Sequence, residues 1–314
     1  MRRTILGLVL LGLACSSANA ALLSRAGGLA YYDTTTNLLW VTDTNLARTS
    51  GYDADGAMMW TDALAWIASL NAQNSGLGYL GVTNWRLPAV TDTGTPGCNN
   101  AFTGTDCGYN VDLATGEMAR MYYGTLGNSG GANTSGVNQP CFNGPVLFTC
   151  LANSGPFLGL GNSWFWYGTE SALSSTDAWR FNFRIGFQRD YPKTNFFWAW
   201  AVRTGDIDGD SDGVSDANDN CTLVANPSQL DANGDGYGNN CDGDINNTGT
   251  VTTADFGLLR SVIGQPASFS PTAAAADMNG SGTVTTADFG MLRARLGTPP
   301  GPSGLACAGT VPCP

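Results

Sequence analysis

The chain has 314 residues and an acidic balance, with 25 Asp and Glu against 14 Lys and Arg and a net charge of −11 at pH 7. This charge argues against nucleic acids and anionic membranes as partners, and the length suggests two or three domains. The sequence contains no His, which excludes Ser-His-Asp and Cys-His catalytic arrangements and the usual zinc ligation.

Residues 1–20 have the pattern of a secretory signal peptide. A pair of Arg precedes an apolar run over residues 5–14, and small residues at the end of the leader favour cleavage after Ala20. The run is too short to span a membrane, and no later segment is apolar enough to do so. We therefore expect a protein that is secreted or held at the cell surface. Cys15 allows an alternative interpretation as a lipoprotein, although Gly12 stands where that motif wants Leu.

Residues 21–205 form a predicted first domain, which contains all nine Trp of the chain. Hydrophobic periodicity and turn residues predict, in order, a hairpin of strands at 29–32 and 38–41, a helix over 62–72 capped by Thr61, a helix over 116–126, and strands at 164–167, 178–183 and 197–202. Trp179, Phe181 and Phe183 alternate with polar residues, which indicates one buried strand face. Strands and helices segregated along the chain predict an α+β domain.

Four short motifs follow one another in this domain, namely Trp60-Thr61-Asp62-Ala63, Trp85-Arg86-Leu87-Pro88, Glu117-Met118-Ala119-Arg120 and Trp200-Ala201-Val202-Arg203. Their order is similar to that of a bacterial domain family found at the C-terminus of a collagen-like surface adhesin. The resemblance implies a C-type-lectin-like fold and adhesion through a ligand such as a glycan or a surface protein. The segment 91–110, after the second motif, looks like an insertion.

Catalysis in this domain would depend on its two glutamates, Glu117 and Glu170. A pair of carboxylates can hydrolyse glycosides. However, Glu117 falls in a predicted helix, where it can be solvated or assist capping, and Glu170 can brace an arginine such as Arg203. We therefore expect no enzyme activity. The many Trp and Tyr residues can stack on sugars, but so many Trp in one domain more often form a core than a binding platform.

Eight cysteines remain after the leader, and they fall into four close pairs. An even number in an exported chain predicts disulfides. If nearest neighbours pair, the bonds are Cys98–Cys107, Cys141–Cys150, Cys221–Cys241 and Cys307–Cys313. Sequence alone leaves other connectivities open.

Residues 206–244 contain ten Asp and neither Lys nor Arg. So many like charges repel one another, which would keep the segment open unless a cation neutralised them. The acids recur at alternate positions and are separated by Gly, a pattern typical of a chain that wraps Ca²⁺. A solvated acidic linker is the alternative interpretation. The candidate calcium ligands are Asp208, Asp210, Asp212, Asp216, Asp219, Asp231, Asn233, Asp235 and Asp242.

Three elements in this segment resemble a thrombospondin type 3 repeat, and we assign the repeat to residues 206–243. They are Asp219-Asn220-Cys221, Asn226-Pro227-Ser228-Gln229 and Cys241-Asp242. The resemblance implies a calcium-rigidified spacer that is fastened by a Cys221–Cys241 bridge. The sequence departs from the pattern where Asn239 replaces an expected Asp and where Thr222 replaces a Pro.

Residues 244–297 contain a duplication, because the segments 244–264 and 277–297 are identical at 14 of 21 positions. Each begins with a twelve-residue loop that has oxygen side chains at positions 1, 3, 5 and 12 and Gly at position 6, as in an EF-hand calcium loop. The candidate ligands are Asp244, Asn246, Thr248, Thr250 and Asp255 in the first loop and Asp277, Asn279, Ser281, Thr283 and Asp288 in the second. Thr250 and Thr283 would use backbone carbonyls, and Thr252 and Thr285 would act directly or through water. Asp242 and Asp244 can serve either the repeat or the first loop.

A helix is predicted after each loop, and Val251 and Val284 are expected to pair the two loops across a short strand contact. Gly264 and Gly297 are expected to end the two helices. The predicted buried faces are Phe256, Leu259, Val262 and Ile263 in the first helix and Phe289, Leu292 and Leu296 in the second.

A loop followed by one helix, repeated twice, resembles a type I dockerin over residues 242–297. The resemblance implies a cohesin-like partner and calcium as cofactor. Thr248 and Ser281 stand where the family usually has Asp, which predicts weaker calcium binding. The candidate partner-binding residues are Thr253, Ala254, Arg260, Thr286, Ala287 and Arg293.

The linker 265–276 is expected to carry a short helix after Pro271, and residues 298–314 are expected to form an extended Gly- and Pro-rich tail. Together these features indicate a secreted, modular, calcium-stabilised binding protein, with adhesion or ligand binding in its first domain. The alternative is a dockerin-bearing accessory component of a polysaccharide-degrading complex.

Overall fold

The protein is described here as a computed structural model, which covers residues 22–94, 102–103, 106–143, 149–162 and 164–313. In these ranges the strands are β1 (Leu22–Arg25), β2 (Ala30–Asp33), β3 (Leu38–Val41), β4 (Ala57–Met58), β5 (Gly108–Tyr109), β6 (Trp164–Glu170), β7 (Asp177–Asn182), β8 (Phe187–Pro192), β9 (Phe197–Trp198) and β10 (Val202–Thr204). The α-helices are α1 (Leu46–Thr49), α2 (Trp60–Gly76), α3 (Glu117–Ala119), α4 (Pro140–Asn143), α5 (Thr253–Val262), α6 (Pro271–Ala276) and α7 (Thr286–Ala294).

The first domain is built on two sheets, so its α+β class is confirmed. One sheet has the order β1-β2-β3-β10 and the other the order β4-β9-β6-β7-β8-β5. The predicted hairpin is present as the antiparallel pair of β2 and β3, and β10 returns antiparallel beside β3. The last strand of the domain therefore pairs with its first hairpin. The acidic repeat that follows β10 consequently begins against this sheet.

Two apolar clusters fill the first domain. One surrounds Trp40, Phe181 and Trp200, and the other lies beneath α2 around Trp66 and Trp166. These five side chains are at most 1% exposed. Most of the Trp residues therefore belong to the core, as the sequence analysis expected. Burial of this much aromatic surface stabilises the domain.

Several predicted elements of the first domain need correction. Met59, not Thr61, precedes α2, and no side chain caps this helix. The helix expected over 116–126 is the short α3 followed by a π-helical segment, Arg120–Thr125. The single strand expected at 197–202 is divided between β9 and β10, because the Trp200 indole turns inward and donates to the Val41 carbonyl at 2.7 Å.

The strand β7 does not have one polar face, contrary to the alternation in its sequence. Arg180 and Asn182 are only 6% and 8% exposed, so both faces of the strand are buried. The neighbouring strand β8 was not predicted at all. It pairs with β7 over the whole length from Asp177 opposite Pro192 to Asn182 opposite Phe187.

The C-terminal unit has a third, smaller core between α5, α6 and α7. Val251, Leu259, Val284 and Leu292 are fully buried there. The rings of Phe256 and Phe289 also contact each other, with centroids 4.3 Å apart. The helix predicted after Pro271 is α6, and Ser270 caps it by accepting from the Ala273 N–H at 3.1 Å.

Two residues of the predicted apolar faces are instead largely exposed. They are Ile263, at 42%, and Leu296, at 48%. Each stands at or just after the end of its helix, where the chain turns away from the small core. Gly264 and Gly297 follow them with φ of 82° and 83°, in agreement with the expected helix ends.

Residues 298–313 lie along the acidic repeat instead of extending away from it. The Gly304 N–H donates to the Asp219 carbonyl at 2.9 Å, and the Gly309 N–H donates to the Asp235 carbonyl at 2.8 Å. The expectation of an extended tail that is looped only by its own cysteines is therefore incomplete. Within the residues that the structure covers, no helix has the length and apolarity to cross a bilayer.

Candidate cation sites and docking surface

The first loop of the duplication closes around two buried carboxylates. The Asp244 carboxylate accepts from the N–H groups of Thr248, at 3.0 Å, and Gly249. The Asp255 carboxylate accepts from the Asn246 N–H at 3.1 Å. Gly249 turns the chain with φ of 87°, which favours glycine. The carboxylates of the first and last residues of the loop are thus both turned onto the loop backbone.

The second loop repeats this geometry. The Asp277 carboxylate accepts from the N–H groups of Ser281 at 3.0 Å and Gly282 at 2.7 Å, and the Asp288 carboxylate accepts from the Asn279 N–H at 3.1 Å. These carboxylates and those of the first loop belong to residues at most 2% exposed. Among the described residues, none of the four forms an ion pair. Buried carboxylates without a counter-charge fit a bound cation.

The remaining candidate ligands of the loops lie at the surface. The side chains concerned are Asn246, Thr248, Thr250, Asn279, Ser281 and Thr283, all of which are exposed. The structure therefore places two buried acids inside each loop and neutral oxygen groups on its outer side.

The last carboxylate of each loop also caps the helix that follows. The Asp255 carboxylate accepts from the Thr252 N–H at 2.8 Å, while the Thr252 hydroxyl accepts from the Ala254 N–H at 3.2 Å. Thr285 and Asp288 form the same capping box in the second unit. This role was not predicted, although a Thr followed three residues later by an acid at a helix start is its recognisable signal.

Val251 and Val284 do not pair with each other, which corrects the expected strand contact. Val251 exchanges backbone hydrogen bonds with Gly297 and Thr298, which follow the second helix. Val284 exchanges equivalent bonds with Gly264 and Gln265, which follow the first. Each loop is thus held by the segment after the other helix, so the two units support each other reciprocally.

The acidic repeat brings three carboxylates together. Ligand atoms of Asp208, Asp210 and Asp212 lie within 4.8 Å of one another. The structure also buries Oδ1 of Asp208, Oδ2 of Asp210 and Oδ2 of Asp219 without a hydrogen-bond donor among the described residues. Burial, together with the charges of Asp212, Asp219 and Asp208, raises the pKa of Asp210. Orphaned, mutually repelling oxygens of this kind fit a divalent cation.

Asp216 lies outside this group of three. Its carboxylate accepts from the Gly209 N–H at 2.7 Å, and burial raises its pKa. Its carboxylate thereby holds the Gly209 backbone at the start of the repeat.

The second half of the repeat forms another oxygen-rich site. The Asp231 carboxylate accepts from the N–H groups of Gly234 and Gly236, at 2.7 Å and 2.9 Å. Oδ1 of Asn233 is buried without a partner among the described residues. Burial, the largest cause, and the charges of Asp235 and Asp244 raise the pKa of Asp242 to about 7. This environment is unfavourable to a bare carboxylate and fits a cation.

The structure separates the two acids at the junction. Asp242 faces the repeat, since its carboxylate accepts from the Asn233 amide at 3.1 Å. Asp244 faces the first loop of the duplication through Thr248 and Gly249. The two sites nevertheless share a turn, because the Asp242 carboxylate also accepts from the Asp244 N–H at 2.7 Å.

Disulfides are present in the structure. They join Cys141 to Cys150, Cys221 to Cys241 and Cys307 to Cys313. The Cys221–Cys241 bond closes the second part of the acidic repeat, residues 221–241. The expected pairing of Cys98 with Cys107 involves Cys98, which lies outside the described residues.

The residues predicted to contact a partner are exposed in both halves of the duplicated unit. Thr253, Ala254 and Arg260 are exposed on α5, and their counterparts on α7 are also exposed. These counterparts are Thr286, Ala287 and Arg293. Each helix therefore presents the same hydroxyl, methyl and guanidinium groups at equivalent positions.

The two glutamates of the first domain lie in separate ion pairs. Glu117 forms a two-point pair with Arg86, at 2.6 Å and 2.7 Å, and also accepts from the Ala89 N–H at 2.7 Å. Glu170 pairs with Lys193, not with Arg203 as expected. Arg203 instead donates to the Asp206 carbonyl at 2.6 Å.

A cluster of cationic and aromatic side chains on the second sheet was not predicted from the sequence. The Arg180 guanidinium lies 3.6 Å from the ring centres of both Trp164 and Tyr191. Arg189 stands directly opposite Arg180 on β8, and like charges in that position repel. Within the described part of the chain, neither arginine has a carboxylate partner. The two cations are neighbours because β7 pairs with β8, a strand that was not predicted.

Comparison with known proteins identifies one module. Residues 242–297 match the family model of the dockerin type I domain, so this part of the chain is similar to a type I dockerin. Type I dockerins bind calcium, which agrees with the chemistry of the two loops. No curated protein and no solved structure matches the chain.

Proposed function

We propose that this chain is a secreted, calcium-dependent component of a cohesin-bearing complex, to which it docks through residues 242–297. The observation that carries the proposal is the duplicated, exposed face on α5 and α7, which lies in a module that matches the dockerin family. The docking module would then attach the first domain to that complex.

The chemistry of this face indicates the kind of partner surface that it fits. Arg260 and Arg293 are exposed cations in a module whose net charge is negative. Their positions suit an acidic rim on the partner, while the Thr and Ala side chains near the start of each helix suit a flat, closely packed centre. Because both helices carry the same set, each is a complete candidate surface.

Calcium belongs to this proposal as a structural ion. Asp244 and Asp255 would hold it in the first loop, and Asp277 and Asp288 in the second. In the repeat, Asp208, Asp210, Asp212 and Asp219 would hold one ion, and Asp231, Asn233, Asp235 and Asp242 another. Bound calcium would supply the positive charge that these buried oxygens lack. Since the capping carboxylates also start α5 and α7, ordering of the loops would fix the helices that carry the docking face.

We further propose that the first domain binds a ligand and is not an enzyme. The pairing of Glu117 with Arg86 and of Glu170 with Lys193 favours structural roles for both glutamates. The face that the partly exposed Trp164, Tyr191 and Arg189 form over the buried Arg180 supports ligand binding. A glycan or a surface protein that offers acidic groups fits this face, and adhesion is the second candidate function.

A binding assay with purified type I cohesin modules tests the docking proposal. We expect the full chain to bind at least one cohesin with calcium and to lose binding in chelator. The paired change Arg260→Ala and Arg293→Ala should weaken binding at least tenfold, whereas Arg48→Ala, an exposed arginine of the first domain, should not. Absence of binding across a broad cohesin panel, together with glycan binding by the chain, would favour adhesion instead.

A further inference from the structure

The buried side chain of Asn239 joins the acidic repeat to the dockerin. Asn239 is only 3% exposed. Its carbonyl oxygen accepts from the Ala232 N–H within the repeat at 2.9 Å. Its amide nitrogen donates to the carbonyl of Ala274, at 2.8 Å, and to that of Asp277, at 3.1 Å. One side chain thus satisfies three backbone groups in two modules.

These contacts explain why an amide stands where the repeat pattern has Asp. A carboxylate has no N–H to donate. At position 239 it would face the Ala274 and Asp277 carbonyl oxygens, and both would lose the donor that Asn239 supplies, although the Asp277 carbonyl would keep the Gly280 N–H at 3.2 Å. The residue therefore fits the contact with the dockerin better than it fits a role as a calcium ligand.

The two carbonyls that accept from Asn239 lie just before the second calcium loop and at its first residue. Ala274 lies in α6, and Asp277 is the first residue of the loop, whose carboxylate accepts from Gly282. Leu230 of the repeat lies beside Gly280 of the same loop. The repeat thus contacts the second loop at its first residue and again three residues later.

We propose that Asn239 is a positioning residue for the second calcium loop, so that the acidic repeat is a functional part of the dockerin and not only a spacer. This inference rests on the proposed calcium binding by the loop. The amide holds the Asp277 backbone in place before the ion arrives, and less ordering is then needed when it binds. Such support is most useful in a loop where Ser281 replaces a charged ligand.

The test follows the two loops separately in the full chain. The amide signals of Gly249 and Gly282, the sixth residues of the two loops, are recorded by NMR during a calcium titration. We expect Asn239→Asp to raise the calcium concentration at the Gly282 midpoint about tenfold relative to a matched control, because two buried hydrogen bonds are lost. The Gly249 midpoint should move much less.

Asn240→Asp is the matched control, since it adds the same charge one residue away, and among the described residues the Asn240 side chain hydrogen-bonds only to the Ala225 carbonyl, at 3.3 Å. Asn239→Ala removes the donors without adding charge, and we expect it to raise the Gly282 midpoint as well. In chelator, amide hydrogen exchange around Asp277 should be faster in both Asn239 variants than in the control.

The outcomes separate the two proposals. If neither glycine of the unaltered chain responds to calcium, the proposed calcium binding itself is wrong. If both respond but the Asn239 variants move both midpoints equally, or neither, calcium binding stands and the positioning role is wrong.

Discussion

The guanidinium of Arg25 and the carboxylate of Asp206 form a two-point ion pair, with N–O distances of 2.7 Å and 2.6 Å, across 181 residues of sequence. Their side chains are only 12% and 8% exposed. Arg25 belongs to β1 and Asp206 is the first acid of the repeat, so the pair fastens the repeat to the first sheet. The acidic segment is therefore anchored at its start.

We expect Arg25→Ala to lower the free energy of unfolding of the first domain by about 3 kcal/mol, because it leaves the Asp206 carboxylate buried and unpaired. Urea unfolding of the calcium-loaded chain, followed by Trp fluorescence, measures this. Hydrogen exchange over residues 206–216 should also increase. Arg48→Ala, which removes an exposed arginine of the same domain, is the control. Unchanged exchange over 206–216 in Arg25→Ala would show that the pair does not anchor the repeat.

The capping geometry predicts two separable roles for Asp255. In chelator, Thr252→Ala and Asp255→Ala should each destabilise α5 by about 1 kcal/mol, because each removes part of the cap. With calcium, Asp255→Ala should also lose the stabilisation that the ion supplies, whereas Thr252→Ala should keep it. Hydrogen exchange across α5, with and without calcium, measures both effects. Loss of the calcium effect in Thr252→Ala would instead make its hydroxyl a necessary ligand.

The number of charged ligands predicts the order in which calcium leaves the chain. The dockerin loops hold two buried carboxylates each, while the repeat brings Asp208, Asp210 and Asp212 together beside Asp219. Because affinity rises with ligand charge, the loops should release calcium before the repeat does. Calorimetric titration of the stripped chain should resolve a tighter class that disappears in Asp208→Asn, Asp210→Asn. A tighter class that survives this double change would refute the order.

The dockerin loops could be predicted from sequence because the residues that specify each loop are consecutive in the chain. Twelve consecutive residues specify the turn at Gly249, the acids that enter the loop, and the helix that follows. The duplication then doubles the signal. What sequence could not give is the reciprocal support, in which Val251 pairs with Gly297 and Thr298, since those residues are far apart in the chain and have no pattern in common.

Elements that depend on tertiary partners were missed or misjudged. The β8 sequence, Phe187–Pro192, carries two charged residues and no clear alternation, and it is a strand because β7 lies beside it. Arg180 has the residue type of a surface position, yet the rings of Trp164 and Tyr191 bury it. The tail likewise consists mostly of Gly, Pro and small residues, which carry no periodic pattern, and its place is set by backbone bonds to the repeat.

We expect metal ions, more than an apolar core, to order the chain after residue 205. Digestion of the full chain by a calcium-independent protease of broad specificity, with and without chelator, tests it directly. We predict that chelation makes residues 206–297 cleavable while 29–203 stays largely intact, because two large aromatic clusters support the first domain and one small cluster supports the rest. If mass spectrometry maps the same cleavage sites with and without chelator, metal ions do not order this part of the chain.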